Sequence, residues 1–303
     1  MQVNDIDSYF KSLLRIEKVE NEKDDQVAFR SFPPHLNSAT IHQPSRTYGG
    51  TTICYAFLAA KLLHRERPNS IFITFLSQGS CEIPIDTKVR KLDNDKMFVE
   101  VSQNGKTLSR AYVKKNAISD WTTLETNRRL IDGQVKAPEF YKIDDENSRK
   151  LQNIQSETAW KERKDVYSSP FDVRLVEYGS SDGCKEVSMI WVRLPVNQRR
   201  NINIKTISAE GLVMYISDYY IIQPASIFLR KHGRYFKAIV SLNHSVDIIQ
   251  HDFDPFQWFL IHSTLESFIQ DRAILRFVIY SENKQVIASG RQECYTPSCI
   301  HKL

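Results

Sequence analysis

Tyr48-Gly49-Gly50-Thr51-Thr52-Ile53-Cys54-Tyr55-Ala56-Phe57-Leu58-Ala59-Ala60-Lys61-Leu62-Leu63 is the stretch on which the reading of the fold turns. Ile53, Phe57, Ala60 and Leu63 recur at helical spacing, and Ala56, Ala59 and Ala60 keep the surface between them small. Thr51 to Leu63 therefore reads as a helix built to be enclosed. Downstream, Ser70 to Leu76, Thr87 to Leu92, Lys96 to Gln103 and Leu108 to Lys114 are strand-like runs, separated by the turn formers Gly79, Asn94 and Asn104-Gly105. Upstream, Tyr9 to Val19 reads as a short helix entered through Asp5 or Asp7, with Tyr9, Phe10, Leu13 and Leu14 on one face, and Gln26 to Phe32 as a strand. One buried helix followed by several antiparallel strands is the expected unit.

The pattern is interrupted between Thr126 and Asp165, where 17 of 40 residues are charged, and this density marks a solvated connector with some helix around Asn147 to Glu162. After Pro170 the earlier order returns. Phe171 to Tyr178 and Val187 to Leu194 read as strands and Ile204 to Ile222 as a long helix. Phe236 to Ile249, Trp258 to Phe268, Ala273 to Tyr280 and Val286 to Tyr295 read as further strands. Such a repeat of element order packs best as a curved antiparallel sheet wrapped around its own helix, twice over, an α+β architecture. The expected division is residues 1–125, a linker at 126–165, and residues 166–303.

The chain has 303 residues, 41% of them hydrophobic and 25% charged, which excludes a disordered or collagen-like polymer. No apolar run approaches the roughly 18 residues of a membrane-spanning helix, so stable membrane insertion is not expected. Forty-one basic against 36 acidic residues give a net charge of +5, spread without any Lys/Arg block. Nucleic acid is therefore not an expected partner, whereas a small anionic ligand is compatible. Five scattered cysteines, Cys54, Cys81, Cys184, Cys294 and Cys299, contain no Cys-x-x-Cys pair; reduced thiols in an intracellular setting are expected. Met1 to Phe10 lacks the apolar core of a secretory signal.

Candidate chemistry is sparse. In the second-half helix Ile207, Gly211, Met214, Asp218 and Ile221 share a stripe, so the Asp218 carboxylate lies among apolar side chains and must be either hydrogen-bonded structurally or put to use. Alternation along Ala238 to Ser245 sets Ile239, Ser241, Asn243 and Ser245 on one strand face. The last strand sets Val286, Ala288, Gly290 and Gln292 on one face, presenting a neutral amide among small neighbours. His244 and His251 read as packing or hydrogen-bonding residues, and no metal or other cofactor is expected. Gly49-Gly50 either offers backbone N–H groups to an anion or a developing oxyanion, or marks a tight turn or close packing. There is no Gly-x-Ser-x-Gly elbow and no phosphate-cradling Gly-rich loop.

Leu13-Leu14-Arg15-Ile16-Glu17-Lys18-Val19-Glu20, followed by Tyr48-Gly49-Gly50 and the helix ending Ala59-Ala60-Lys61, resembles the opening of the type II acyl-CoA thioesterases, the double hotdog family of bacteria and peroxisomes. The second half carries the resemblance further. Pro170-Phe171-Asp172-Val173-Arg174 is similar to that family's entry into its second hotdog, and Tyr215-Ile216-Ser217-Asp218 to its helix aspartate. Ser241-Leu242-Asn243-His244-Ser245 is similar to its Thr-x-Asp-His-Ser strand, and Val286 to Glu293 to its strand ending Gln-Glu. The resemblance implies a double hotdog, two antiparallel sheets each wrapped around a central helix. It also implies that Asp218, Ser241 and Gln292 hold the water that attacks a thioester. A thioester carbonyl is electrophilic enough for water that is merely oriented and partly deprotonated, so this set of groups makes chemical sense.

The implied activity is hydrolysis of fatty acyl-CoA to free fatty acid and CoA. Four departures stand against the family pattern: Asn243 replaces its aspartate, the aromatic pair that follows is replaced around Val246 to Ile249, one residue is inserted before Trp258, and Leu92-Asp93-Asn94-Asp95-Lys96-Met97-Phe98 replaces its Arg-Asp-Gly-x-Ser-Phe. They define the alternative, a non-catalytic acyl-CoA-binding or assembly protein of the same fold. By analogy with hotdog sheets that pair, a homo-oligomer is expected. The ending His301-Lys302-Leu303 is similar to the Ser-Lys-Leu address, which with the family implies a peroxisomal location and an import receptor as partner; the cytoplasm is the alternative.

Overall fold

Alternation of buried and exposed side chains builds the first sheet. Along Lys96–Gln103, Met97, Val99, Val101 and Gln103 turn inward while their neighbours face outward, as the two-residue repeat of a strand requires. The computed structural model describes residues 16–23, 26–33, 35, 46–63, 67–115, 135–141, 171–181, 185–194 and 208–300. The chain divides into two compact units, one formed by residues 1–118, 197–219 and 243–251, the other by residues 119–196, 220–242 and 252–303.

In the first unit β1 (Glu17–Lys23), β2 (Gln26–Ser31), β3 (Ser70–Phe75), β4 (Ile85–Lys91), β5 (Lys96–Gln103) and β6 (Lys106–Lys114) pair antiparallel in the spatial order β1-β2-β4-β5-β6-β3. The β5–β6 hairpin turns through Asn104 (φ 48°) and Gly105 (φ 77°), the left-handed pair that suits the twist of two strands. Helix α1 (Gly49–Leu63) lies on β2, β4, β5 and β6, and every residue from Gly50 to Ala60 is buried. The enclosed helix expected from the alanine-rich stretch is present and starts two residues earlier. Its small surface accepts a second helix, α2 (Ala209–Ile216): a Cβ on Gly211 would sit only 3.0 Å from Leu58 Cδ2, so the glycine sets how closely the two approach.

In the second unit β7 (Asp172–Ser181), β8 (Lys185–Arg193), β11 (Phe259–Ile269), β12 (Arg272–Tyr280) and β13 (Val286–Tyr295) pair antiparallel in the order β13-β12-β11-β8-β7. Helix α3 (Gln223–Lys231) packs on β7, β8, β11 and β12. Trp191, Phe259, Leu275 and Phe277 form the fully buried centre of this unit. Two short strands, β9 (Arg234–Phe236) and β14 (Ser298–Ile300), pair with each other. Of the charged connector at 126–165, only residues 135–141 are described; there Arg174 donates a hydrogen bond to the Pro138 carbonyl while its guanidinium stacks on Trp258 at 4.7 Å. Strand β10 (Val240–Ile248) begins in the second unit and continues into the first, where Asn243–Asp247 pair with Ser70–Thr74 of β3.

Two expectations from the sequence are corrected. Glu17 to Val19 lie in β1, where cross-strand pairing of Glu17, Lys18 and Val19 with Arg30, Phe29 and Ala28 overrides the helical pattern; the rest of that expected helix lies outside the described residues. The long helix at Ile204 to Ile222 is also not formed: residues 204–207 are outside the described residues, α2 ends at Ile216, and α3 starts at Gln223. Tyr220 takes a left-handed φ of 59°, which ends a right-handed helix, and Pro224 at the start of α3 begins a new one. Asp218 therefore stands on the turn between two helices and not on a helical stripe.

Candidate active site

Asp218 is placed by the end of α2. Ser217 caps that helix, its N–H bonding the Val213 carbonyl at 2.9 Å, and the Tyr219 N–H closes the following turn on the Ile216 carbonyl, also at 2.9 Å. Asp218, half-buried between them, is aimed at the first residue of α1: a Cβ on Gly49 would meet Asp218 Oδ2 at 2.5 Å. A side chain at position 49 would force the carboxylate to shift. A Cβ on Gly50 would collide with the Tyr215 carbonyl and the Tyr48 ring, so the Gly-Gly pair is a close approach of two backbones, and it also puts a carboxylate against a helix N-terminus. That end of a helix carries a partial positive charge and favours the anion. Tyr48 ties the two chains together, its hydroxyl donating to the Tyr215 carbonyl at 3.2 Å and its ring packing edge-on to Tyr215.

Arg46 adds a cation to the same corner. Burial pulls its pKa down, and the negative charge of Asp218 works against that fall. Beneath the turn, the Ser217 hydroxyl donates to the Met214 carbonyl at 2.7 Å and lies 2.9 Å from His244 Nε2, with both residues buried. Burial pushes the pKa of His244 down to about 3, so the imidazole is neutral near neutral pH.

The other two residues meet in the second unit. Gln292, on β13 opposite Leu275 of β12, is 3% exposed and donates from Nε2 to Ser241 Oγ at 2.9 Å. Because Ser241 accepts this bond, its own proton remains available to a further acceptor. Asn243, two residues along β10, accepts a hydrogen bond from Thr74 Oγ1 at 2.9 Å; an aspartate would accept the same bond, so the neutral amide preserves this contact. Of the three residues singled out in the sequence, the structure thus joins Ser241 to Gln292 in one unit and sets Asp218 at the α1 N-terminus in the other.

His251 Nδ1 lies 3.4 Å from Glu210, which also takes a 2.8 Å salt bridge from Lys61. Among the described residues no group of three His, Cys, Asp or Glu side chains could hold a metal ion. Arg46 and Ser217 were not singled out by sequence reasoning. Their signals are slight: an arginine three residues before Gly-Gly, and a serine whose partner histidine is 27 residues away.

Residues 147–296, a stretch that contains Asp218, Ser241 and Gln292, match the family model of the acyl-CoA thioesterase C-terminal domain. The fold is a double hotdog. It is shared with an acyl-CoA thioesterase II, TesB2, from Mycobacterium marinum, at 15% identity and TM-score 0.62 over 95% of this chain and 96% of that one. A tesB protein of Mycobacterium avium subs paratuberculosis is similar at 18% identity and TM-score 0.63, covering 98% of this chain and all of the other. The dehydratase domain from the CurJ module of Curacin polyketide synthase is similar at 10% identity and TM-score 0.60, over 95% of this chain and 98% of that one. No curated protein matches the chain in sequence.

Proposed function

We propose that this protein hydrolyses fatty acyl-CoA to free fatty acid and CoA by attack of an activated water. The observation that carries the reading is the Gln292-to-Ser241 hydrogen bond inside the stretch that matches the thioesterase family. A buried amide whose N–H is committed to a hydroxyl turns that hydroxyl's proton away from the amide, leaving it to donate to a water or a carbonyl. In this reading Asp218 is the general base: it takes a proton from the water as the oxygen attacks the thioester carbon, and the tetrahedral intermediate then expels CoA thiolate. Ser241 and Gln292 hold the water. The N-terminus of α1 at Gly49-Gly50 supplies positive potential where negative charge develops.

A panel of acyl-CoA esters of increasing chain length, followed by release of free thiol, tests the reading. Turnover well above the uncatalysed rate is expected for at least one chain length. Tight acyl-CoA binding with no thiol release would select the second reading, a non-catalytic acyl-CoA-binding protein, which the substitutions at Asn243 and Asp93–Phe98 favour.

A peroxisomal location is proposed on the C-terminal His301-Lys302-Leu303. A fluorescent protein fused to the N-terminus, leaving those residues exposed, should become punctate in cells, and deletion of Leu303 should make it diffuse. A diffuse intact fusion would contradict the assignment.

A further inference from the structure

A carboxylate on a turn has no helix to hold it, so the placement of Asp218 is decided by whatever fixes that turn. We propose that His244 is a positioning residue for Asp218, acting through Ser217. The proposal rests on the reading of Asp218 as the base. Ser217 has one hydroxyl proton, and it is committed to the Met214 carbonyl at 2.7 Å. Toward His244 Nε2, 2.9 Å away, the oxygen can therefore only accept, which places the imidazole proton on Nε2.

The pair contains the atoms of a nucleophile and its base but cannot serve as one. Ser217 and His244 are 0% and 1% exposed, and the serine proton points away from the histidine. What the arrangement does is mechanical. His244 sits on β10 opposite Ile73 of β3, inside a paired sheet, so its Nε2 is a fixed point. Bonding Ser217 to that point anchors the residue immediately before Asp218 at the C-terminus of α2. Burial keeps the imidazole neutral, so the anchor persists through the pH range in which a carboxylate base works.

The experiment compares Ser217→Ala, His244→Phe and His244→Gln with the wild type, each alone and Ser217→Ala also in Asp218→Asn. A shift of the base by about 1 Å costs about 100-fold in rate, so Ser217→Ala and His244→Phe should lower kcat by about that factor with KM little changed. His244→Gln, which can offer an amide N–H in place of Nε2–H, should recover at least part of the loss. In the Asp218→Asn background Ser217→Ala should lower kcat no further, because its effect runs through the missing carboxylate. Full multiplicative losses in the double variant, or an unchanged kcat in folded Ser217→Ala, would overturn the proposal.

The test also separates this inference from the functional reading. If the wild type releases no thiol from any acyl-CoA, the hydrolase reading fails, and positioning is judged by the titration of the Asp218 carboxyl carbon, followed by NMR. A curve displaced in Ser217→Ala supports the anchor, and superimposable curves sink it.

Discussion

Ser241 and Gln292 show what a single hydrogen bond settles. With Gln292 almost fully buried, removing the serine hydroxyl leaves its Nε2 without that acceptor, a loss of about 1–3 kcal/mol for a buried donor. Ser241→Ala should therefore lower both thermal stability and kcat, whereas Ser241→Thr, which keeps a hydroxyl at the same carbon, should retain most of each; melting curves and initial rates read the two. Asp218, Ser241 and Gln292 became site candidates only through resemblance to a family, since spacing by itself left each with a structural alternative. Ser217 left only a slight signal. Its partner is 27 residues away, and a serine at a helix end commonly serves as nothing more than a cap.

At the scale of elements, α1 presents its first residue to a carboxylate. Gly49→Ala would put a methyl group 2.5 Å from the present position of Asp218 Oδ2, so the carboxylate must move. The expected outcome is a fall in kcat of at least about tenfold, since small displacements of a catalytic group are costly. The same change spares the helix the entropy of a glycine, worth about 0.5–1 kcal/mol, and so should not lower stability by much. Steady-state kinetics beside a melting curve checks both. The alternation of β5 and of the later part of β6 could be read directly because burial of one face imposes a two-residue period, and α1 because a helix enclosed on every side is small and apolar all round. The helix break after Ile216 could not. Apolar residues continue through Ile221 and Ile222, and the interruption comes from a left-handed tyrosine that no periodicity announces. The edge strand β1 was hidden for a related reason: it gains its order by pairing with β2, a contact that local pattern does not encode.

Across the whole molecule, buried ionisable groups make the fold sensitive to acid. Burial holds His35 down to about 4 and His244 to about 3, against 6.5 for an ordinary histidine. Between those values and 6.5 the unfolded chain takes up protons that the folded chain refuses, so stability falls as pH drops below 6.5. The slope approaches about 1.4 kcal/mol per pH unit for each such imidazole. Glu210 acts in the same direction. Burial would raise its pKa, but hydrogen bonds from His251 and Lys61 and the Lys61 charge hold it well below the carboxylate range. The stability it contributes is complete above its ordinary value of 4.5 and drains away as pH falls below that. Denaturant unfolding at about pH 7.5, 6 and 4.5 should show a progressively lower midpoint, and His244→Gln should flatten the upper part of that decline. A midpoint independent of pH would contradict the buried neutral imidazoles.

The most direct measurement compares thiol release from acyl-CoA by the wild type and by Asp218→Asn, each shown by circular dichroism to be folded. Loss of a general base costs about 10²–10⁴ in rate, so kcat should fall by that factor while acyl-CoA affinity is retained. An Asp218→Asn protein that cleaves acyl-CoA as fast as the wild type, or a wild type that does not cleave it at all, would contradict the account.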